Sequence, residues 1–138
     1  FPAKMLQNII SRKFGMDFHP AAKIGYGLLI DHATNIVIGE TATVGNNVSF
    51  LHGVTLGGTG NEVGDRHPKI GDGVMLGAHA QLLGNIHIGD GAKIGAGAVV
   101  LCDVPPHTTY AGVPAVEVGH PQDEMPSFNM QQDFTRDA

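Results

Sequence analysis

Two short segments of this 138-residue sequence, in which only 15% of all residues are charged, each combine a histidine with charged side chains. The first segment is the pair Asp31-His32, and the second is the glycine-rich run 57–69, which carries Arg66 and His67. A histidine near neutral pH can accept a proton from a hydroxyl group, and an arginine can hold a carboxylate through two parallel hydrogen bonds. Both segments could therefore support proton transfer and anion binding, provided that the fold exposes them.

A regular repeat surrounds the two segments and predicts the elements that position them. In the second half of the chain, aliphatic residues recur at a spacing of six: Ile70, Leu76, Leu82, Ile88, Ile94 and Val100. The first half shows the same spacing at Ile24, Ile30, Ile38, Val44, Phe50 and Leu56, with two longer steps. Eight residues separate Ile30 from Ile38, and fourteen separate Leu56 from Ile70. Two residues are thus inserted after Ile30 and eight after Leu56, and the chemically active residue types lie in these insertions.

A period of six fits neither an α-helix nor a simple alternating strand, but it fits short strands separated by turns. We therefore predict an all-β fold, a parallel β-helix of hexapeptide repeats with four to five triangular coils and an extruded loop at about 57–69. A β-sandwich is disfavoured because its strands do not keep a strict six-residue spacing. Ile30 and Phe50 are one coil and two inserted residues apart. His32 and His52 should consequently lie in adjacent coils, about 5 Å apart.

The flanks of the repeat predict two further regions. Residues 1–13 place Phe1, Met5 and Ile9 at helical spacing, which indicates the end of a helical N-terminal region. Residues 14–120 form the β-helix domain. Prolines interrupt the pattern after residue 103, and residues 121–138 are expected to be a loose tail.

Composition excludes several partners. The net charge of −5 gives no basic surface for nucleic acid. No segment approaches the roughly 18 apolar residues of a membrane span. The single cysteine, Cys102, excludes an internal disulfide and favours a reducing compartment such as the cytoplasm, and we expect it to be a packing residue.

Several motifs together resemble bacterial serine O-acetyltransferase over roughly residues 5 to 120. The most specific are the segment Asp31-His32-Ala33-Thr34, the run Gly53–Gly60 and the loop Gly64–Lys69, and Asp17–Gly25 and Ala111–Ala115 extend the similarity. The resemblance implies a left-handed coil. It also implies transfer of an acetyl group from acetyl-CoA to the hydroxyl of L-serine, the first step of cysteine biosynthesis from serine.

The resemblance further implies roles for individual residues. His32 matches the family's general base, Asp17 matches the carboxylate that orients this base, and Asp31 would meet the ammonium group of serine. Arg66 and His67 match substrate-binding residues. The positions that match contacts with CoA are Gly58, Thr59, Ala78, Lys93 and Ala96. Acetyl-CoA is then a co-substrate, with no permanently bound cofactor and no metal.

The resemblance also predicts the assembly. In this family the site forms between neighbouring subunits of a homotrimer, and full-length members with a helical N-terminal domain form a dimer of trimers. Only the last helix of that domain is expected here, which favours a trimer. The family's tail often ends in the isoleucine that engages O-acetylserine sulfhydrylase. The sequence ends Thr135-Arg136-Asp137-Ala138, so we do not expect that partner.

Three other functions stay open at this point. Another hexapeptide acyltransferase could use the same base on a sugar or xenobiotic hydroxyl. His32 and His52 could belong to a metal site like that of γ-class carbonic anhydrases, although we find no third histidine at the required spacing. An inert trimeric scaffold is the non-enzymatic alternative. His52 is expected to be structural, and the other histidines are expected to lie at the surface or in turns: His19, His79, His87, His107 and His120.

Overall fold

The computed structural model describes residues 2–129, and nearly all of its regular structure consists of very short strands. Helix α1 (Pro2–Phe14) precedes the strands, as the helical spacing predicts. The strands are β1 (Asp17–Phe18), β2 (Lys23–Ile24), β3 (Leu29–Ile30), β4 (Val37–Ile38), β5 (Thr43–Val44), β6 (Ser49–Phe50), β7 (Thr55–Gly57), β8 (Lys69–Ile70), β9 (Met75–Leu76), β10 (Gln81–Leu83), β11 (His87–Ile88), β12 (Lys93–Ile94), β13 (Val99–Val100), β14 (Thr109–Gly112) and β15 (Ala115–Gly119). A 3₁₀ helix (Pro126–Asn129) follows.

Every third strand returns to the same sheet, so the chain winds around three flat faces. Face A contains β1, β4, β7, β10 and β13 in hydrogen-bonded order, and face B contains β2, β5, β8 and β11. Face C contains β3, β6, β9, β12, β14 and β15, and only the last pair is antiparallel. The chain thus makes five coils within the described residues. The predicted all-β, parallel β-helix is confirmed.

The pairing register confirms the two insertions. Leu82 pairs with Val100 at an offset of 18 residues, which is the length of an uninterrupted coil. Ile30 pairs with Phe50 at an offset of 20, and Val44 pairs with Ile70 at an offset of 26. The two and eight additional residues are therefore accommodated outside the strands, and the repeat continues in register on both sides of each insertion.

The core is a narrow aliphatic column inside the coils. Since successive strand residues point to opposite sides, the second residue of each two-residue strand faces inward. Phe50, Leu56, Leu76 and Leu82 have no exposed surface, and Ile94 is 1% exposed. The first coil is less enclosed, because the inward-facing Ile24 remains 38% exposed and Ile30 is only partly buried.

The three edges between the faces have regular turn geometry. We name each edge by the faces that the chain joins there: the A–B, B–C and C–A corners. On the C–A corner, Asn35, Gly53, His79 and Gly97 occupy equivalent positions and have φ values of 55°, 72°, 59° and 70°. On the B–C corner, side-chain oxygens bind backbone N–H groups of the previous coil: Asn46 accepts from Tyr26, Asp72 from Asn46, and Asp90 from Asp72. Two of the few charged residues, Asp72 and Asp90, thus have a structural role.

The segment after β15 packs against face C as far as the structure describes it. Ser49 Oγ donates a hydrogen bond to the Ser127 carbonyl at 2.8 Å, and Met125 lies against Gly73. Pro126 and Ser127 are buried. Residues 121–129 therefore differ from the loose tail that the prolines suggest. The rest of the expected tail, including residues 135–138, lies outside the described residues, as does Phe1 of the expected helix.

Two expectations about the surface can be compared with the structure. Cys102 is exposed at the A–B corner, so the expected packing role is wrong. The hydrophobic spacing places only inward residues in the core, and residue 102 falls in a turn two residues after the buried Val100. Between residues 2 and 129, no helix has both the length and the apolar character that crossing a membrane requires.

The aliphatic column predicts a large cost for truncating Phe50, the aromatic residue that it encloses completely. We expect Phe50→Ala to lower the free energy of unfolding by about 3–5 kcal/mol, because it opens a cavity in a fully enclosed position. Val63→Ala is the matched control, since Val63 is 96% exposed in the extruded loop. Urea unfolding followed by circular dichroism measures both. Equal losses for the two variants would contradict the assigned core.

Candidate active site

His32 lies in the two-residue insertion at the C–A corner, directly after β3. The insertion forces the backbone of His32 into the left-handed region, with φ at 57°. Residues other than glycine adopt this conformation at an energetic cost. Its side chain is 75% exposed, and Nε2 lies 3.6 Å from Asp31 Oδ1. The strained turn therefore holds an imidazole outward beside a carboxylate.

Asp17 begins β1 on face A, in the coil that ends at His32. Its Oδ1 accepts a hydrogen bond from Gln7 Nε2 of helix α1. Within residues 2–129, the carboxylate at ion-pair distance from His32 is that of Asp31 and not that of Asp17. The structure brings His32 and Asp31 together, and it connects Asp17 to the N-terminal helix.

Three histidine rings form a row of edge-to-face contacts along the C–A corner. The ring centroids of His32 and His52 are 6.0 Å apart, and those of His52 and His79 are 4.8 Å apart, both with perpendicular planes. The predicted proximity of His32 and His52 is confirmed. His79 is an exposed turn residue, as expected, but the sequence reasoning did not identify its contact with His52. Counting from Phe50 and its partner Leu76 places residues 77–80 next to residues 51–54, so this contact was accessible to counting.

This row of histidines does not resemble a metal centre. His52 Nδ1 is enclosed and has no hydrogen-bond partner, while its ring faces the edges of its neighbours. Among residues 2–129, no three side chains of His, Cys, Asp or Glu are grouped so that they could hold a metal ion. A carbonic-anhydrase-like site has no support within one chain.

The extruded loop 58–68 folds back over the A–B corner and attaches to Thr41. Thr41 Oγ1 accepts hydrogen bonds from the backbone N–H groups of Arg66, at 3.0 Å, and His67, at 3.1 Å. Lys69 Nζ donates to the Thr41 carbonyl at 3.0 Å and to the His67 carbonyl and Asp65 Oδ1, both at 2.6 Å. The hydrogen bond from Lys69 lowers the pKa of Asp65. The loop is long, but its second half is firmly attached.

Arg66 projects from this attached half of the loop. Its guanidinium donates to the Gly64 carbonyl at 2.8 Å and to Glu40 Oε2 at 3.0 Å. This hydrogen bond and the positive charge of Arg66 hold the pKa of Glu40 below its ordinary value. Since a guanidinium carries five N–H donors, Arg66 retains the capacity to bind a further anion.

His67 is buried, with 7% of its surface exposed, and its ring lies flat against Gly39. Any Cβ at position 39 would overlap the ring, so the Ile38-Gly39 turn must carry glycine. Thr41 Oγ1 lies 2.8 Å from His67 Nδ1. Burial lowers the pKa of His67, and the nearby charges of Arg66 and Lys69 lower it further.

The residues that match CoA contacts occupy three different places. Ala78 and Ala96 follow the paired residues Leu76 and Ile94 by two positions, which places them on the C–A corner in the column of His32 and His52. Gly58 and Thr59 lie on the A–B corner, where the Thr59 methyl group contacts Gly84. Lys93 lies on face C beside a cleft of about 200 Å³ that it shares with the C-terminal segment. One chain does not gather them into a single site.

A larger cleft, of about 430 Å³, adjoins the attached loop on face B. Its lining residues are Ala21, Lys23, Glu40, Thr41, Ala42, Thr43, Asp65 and Lys69. The sequence reasoning assigned no role to Glu40, Thr41 or Lys69. Thr43 pairs with Lys69, so counting back two residues in each strand would have placed Thr41 opposite His67.

Comparison with known proteins agrees with the repeat and with the site motifs. The family model described as bacterial transferase hexapeptide (six repeats) matches residues 67–102. The serine acetyltransferase of Escherichia coli strain K12 is 63% identical over 132 residues, which are 96% of this chain and 48% of that protein. Serine acetyltransferase 4 of Arabidopsis thaliana is 57% identical over 98% of this chain and 38% of its own length. The chain belongs to the serine acetyltransferase family. It spans about half the length of the curated relatives it matches.

Solved serine acetyltransferases also share the fold. The enzyme from Vibrio cholerae superposes with a TM-score of 0.90 at 62% identity, over 95% of this chain and 51% of that one. Soybean serine acetyltransferase complexed with serine superposes with a TM-score of 0.80 at 65% identity, over 82% of this chain and 46% of that one. A coil of the opposite hand would not superpose so closely. The serine acetyltransferase β-helix is left-handed, so the predicted hand is confirmed, as an exception to the usual right-handed crossover.

The attachment of the loop predicts a specific effect of removing its lysine. Lys69→Met would leave the Thr41 and His67 carbonyls without their charged donor, at a cost of about 1–3 kcal/mol. We expect faster amide hydrogen exchange at residues 58–68, measured by mass spectrometry. Lys23→Met is the matched control, because Lys23 lies in the same outward column of face B and makes no side-chain hydrogen bond with residues 2–129. Unchanged exchange in Lys69→Met would show that the loop does not depend on this attachment.

Proposed function

We propose that this chain transfers an acetyl group from acetyl-CoA to the hydroxyl of L-serine. The observation that carries the proposal is the strained insertion that exposes the His32 imidazole beside Asp31, in a chain whose relatives are serine acetyltransferases. A strand residue of this fold is committed to packing or to pairing. An inserted turn is free to present a base.

In the proposed reaction, serine attacks the thioester directly. The His32 imidazole takes the proton of the serine hydroxyl as the new C–O bond forms. The tetrahedral intermediate then breaks its C–S bond, and the imidazolium returns the proton to the departing sulfur of CoA. Asp31 would meet the ammonium group of serine, and Arg66 and His67 would hold its carboxylate. Asp17 is proposed to orient His32 through the acceptor positions of its carboxylate that the hydrogen bond from Gln7 to Oδ1 leaves free.

We propose that the site is shared between chains of a homotrimer. His32, Ala78 and Ala96 lie on the C–A corner, whereas Arg66, His67, Gly58 and Thr59 belong to the loop at the A–B corner. Face A separates the two corners, so one chain cannot close both groups around one substrate. A neighbouring copy that docks its A–B corner against the C–A corner would complete the site. Cyclic symmetry would repeat this head-to-tail contact three times.

The proposed site takes acetyl-CoA as a co-substrate and needs no bound cofactor. Small side chains at Ala78 and Ala96 would let the extended pantetheine arm lie along the corner, and Lys93 would add positive charge for the nucleotide end. We propose a cytoplasmic location, supported by the exposed and unbridged Cys102. The prediction about O-acetylserine sulfhydrylase depends on residues 135–138 and stays a prediction.

A thiol-release assay tests His32 directly. We expect serine-dependent release of CoA from acetyl-CoA, and a loss of at least about 100-fold in His32→Ala, because the variant lacks the proposed acceptor of the hydroxyl proton. His87→Ala is the control, since His87 is an exposed histidine on face B. A variant that keeps near-normal turnover, or a wild-type chain that uses sugar hydroxyls in preference to serine, would contradict the proposal.

Mixed assemblies test whether the site is shared. Chains with His32→Ala and chains with Arg66→Ala are each expected to be nearly inactive. Co-expressed in equal amounts, they should recover about a quarter of wild-type activity, because random assembly pairs an intact His32 with an intact Arg66 at about one site in four. If both residues served the same site within one chain, the mixture would remain inactive.

A further inference from the structure

The hydrogen bonds around His67 determine which of its ring nitrogens carries the proton. The backbone N–H of Thr41 points at Nδ1 over 3.2 Å, and a backbone N–H can only donate. Nδ1 must therefore accept this hydrogen bond with its lone pair. A neutral imidazole that accepts at Nδ1 carries its proton on Nε2.

The Thr41 hydroxyl is compatible with the same assignment. Its oxygen already accepts two hydrogen bonds, from the backbone N–H groups of Arg66 and His67. A hydroxyl has two acceptor positions and one donor, so its remaining function is donation. Nδ1 of His67 lies 2.8 Å away, and the Asp65 carboxylate is a second acceptor for the same hydroxyl. The assignment of the tautomer is therefore carried by the backbone N–H of Thr41.

The opposite edge of the ring remains available to a ligand. Within residues 2–129, Nε2 of His67 makes no protein hydrogen bond, and it is not among the fully enclosed side-chain atoms. Nε2 and Cδ2 are the ring atoms that lie directly against Gly39, where a Cβ would overlap them. The missing side chain at Gly39 is therefore what leaves the Nε2–H donor uncovered.

The charges that face His67 also favour its neutral form. Arg66 and Lys69 adjoin it on its own segment, His19 faces it from the first coil, and all three lower its pKa together with burial. Two carboxylates also face His67: Glu40 acts in the opposite direction and is engaged by Arg66, and Asp65 is engaged by Lys69. A second positive charge on His67 would therefore be opposed by Arg66 and Lys69 and by its burial.

We propose that Thr41 is a positioning residue that holds His67 as the neutral tautomer protonated on Nε2, so that the loop offers a carboxylate one cation, Arg66, and one uncharged N–H donor. The role of this donor rests on the proposed function, in which the carboxylate belongs to L-serine. A single cation matches the single charge of that carboxylate. An amino acid with a second anionic group would find no second positive charge on Arg66 and neutral His67.

Nitrogen NMR of the whole chain tests the tautomer without requiring activity. Two-bond ¹⁵N–¹H correlation spectra distinguish a protonated from an unprotonated ring nitrogen, and His67→Gln identifies the resonances of His67 by their loss. We expect an unprotonated Nδ1 and a protonated Nε2 that persist below the ordinary histidine pKa of about 6.5. Protonated Nδ1, averaged shifts, or titration at the ordinary value would overturn the proposal.

Two substitutions of Thr41 separate its hydroxyl from its shape. Thr41→Val has nearly the same volume but no hydroxyl, and Thr41→Ser restores the hydroxyl. The backbone N–H of residue 41 remains in Thr41→Val, so we expect Nδ1 of His67 to stay unprotonated. Loss of the hydroxyl that accepts from the Arg66 and His67 N–H groups should raise the KM for serine about tenfold, with a smaller change in kcat. Thr41→Ser should behave like the wild type in both measurements. An unchanged KM for serine in Thr41→Val would refute the role of the Thr41 hydroxyl.

The two measurements distinguish failure of the proposed function from failure of the proposed tautomer. If the wild-type chain has the proposed tautomer but no serine-dependent thiol release, the proposed function fails and the assignment of His67 survives. If serine-dependent activity is present but the tautomer is different, the function survives and the role of Thr41 is refuted.

Discussion

Each coil of this protein hydrogen-bonds to the coils directly before and after it, and this register fixes the position of every functional side chain. A slip of one residue would turn the aliphatic column outward, since successive strand residues face opposite sides. The buried column of Phe50, Leu76 and Ile94 therefore does more than exclude water. It defines the two corners from which His32 and the Arg66 loop project.

The fold separates stability from chemistry along the sequence. Packing is carried by residues at six-residue spacing, and the few acidic side chains of the B–C corner, Asp72 and Asp90, satisfy backbone groups. Both insertions add residues where no strand is interrupted. The short one strains a single backbone position to expose an imidazole, and the long one is attached along its second half through Thr41 and Lys69.

Much of this architecture could be predicted from the sequence, because spacing alone determines which residues share a coil position. The pairing of Ile30 with Phe50, and thus the proximity of His32 and His52, followed from counting. Contacts that depend on irregular segments could not be counted. Gln7 contacts Asp17 from helix α1, and Met125 packs on Gly73 from the C-terminal segment. Both segments lie outside the six-residue repeat, so spacing does not predict where they pack. The Thr41–His67 contact could have been counted from the pairing of Thr43 with Lys69. That count assumes that the end of the extruded loop already follows the pairing register of the coils.

The left-handed backbone at His32 also limits which replacements the fold accepts there. Asparagine and aspartate tolerate this conformation better than most residues, and a single nucleotide change converts a histidine codon into either one. Such a replacement would remove the proposed base while sparing the turn, so the altered chain would still fold. In an assembly whose sites are shared, an altered chain would still lend its Arg66 loop to the neighbouring site, and it would silence only the one site that uses its own residue 32. The conformation that presents the imidazole thus confines the damage: activity would fall in proportion to the fraction of altered chains and no faster.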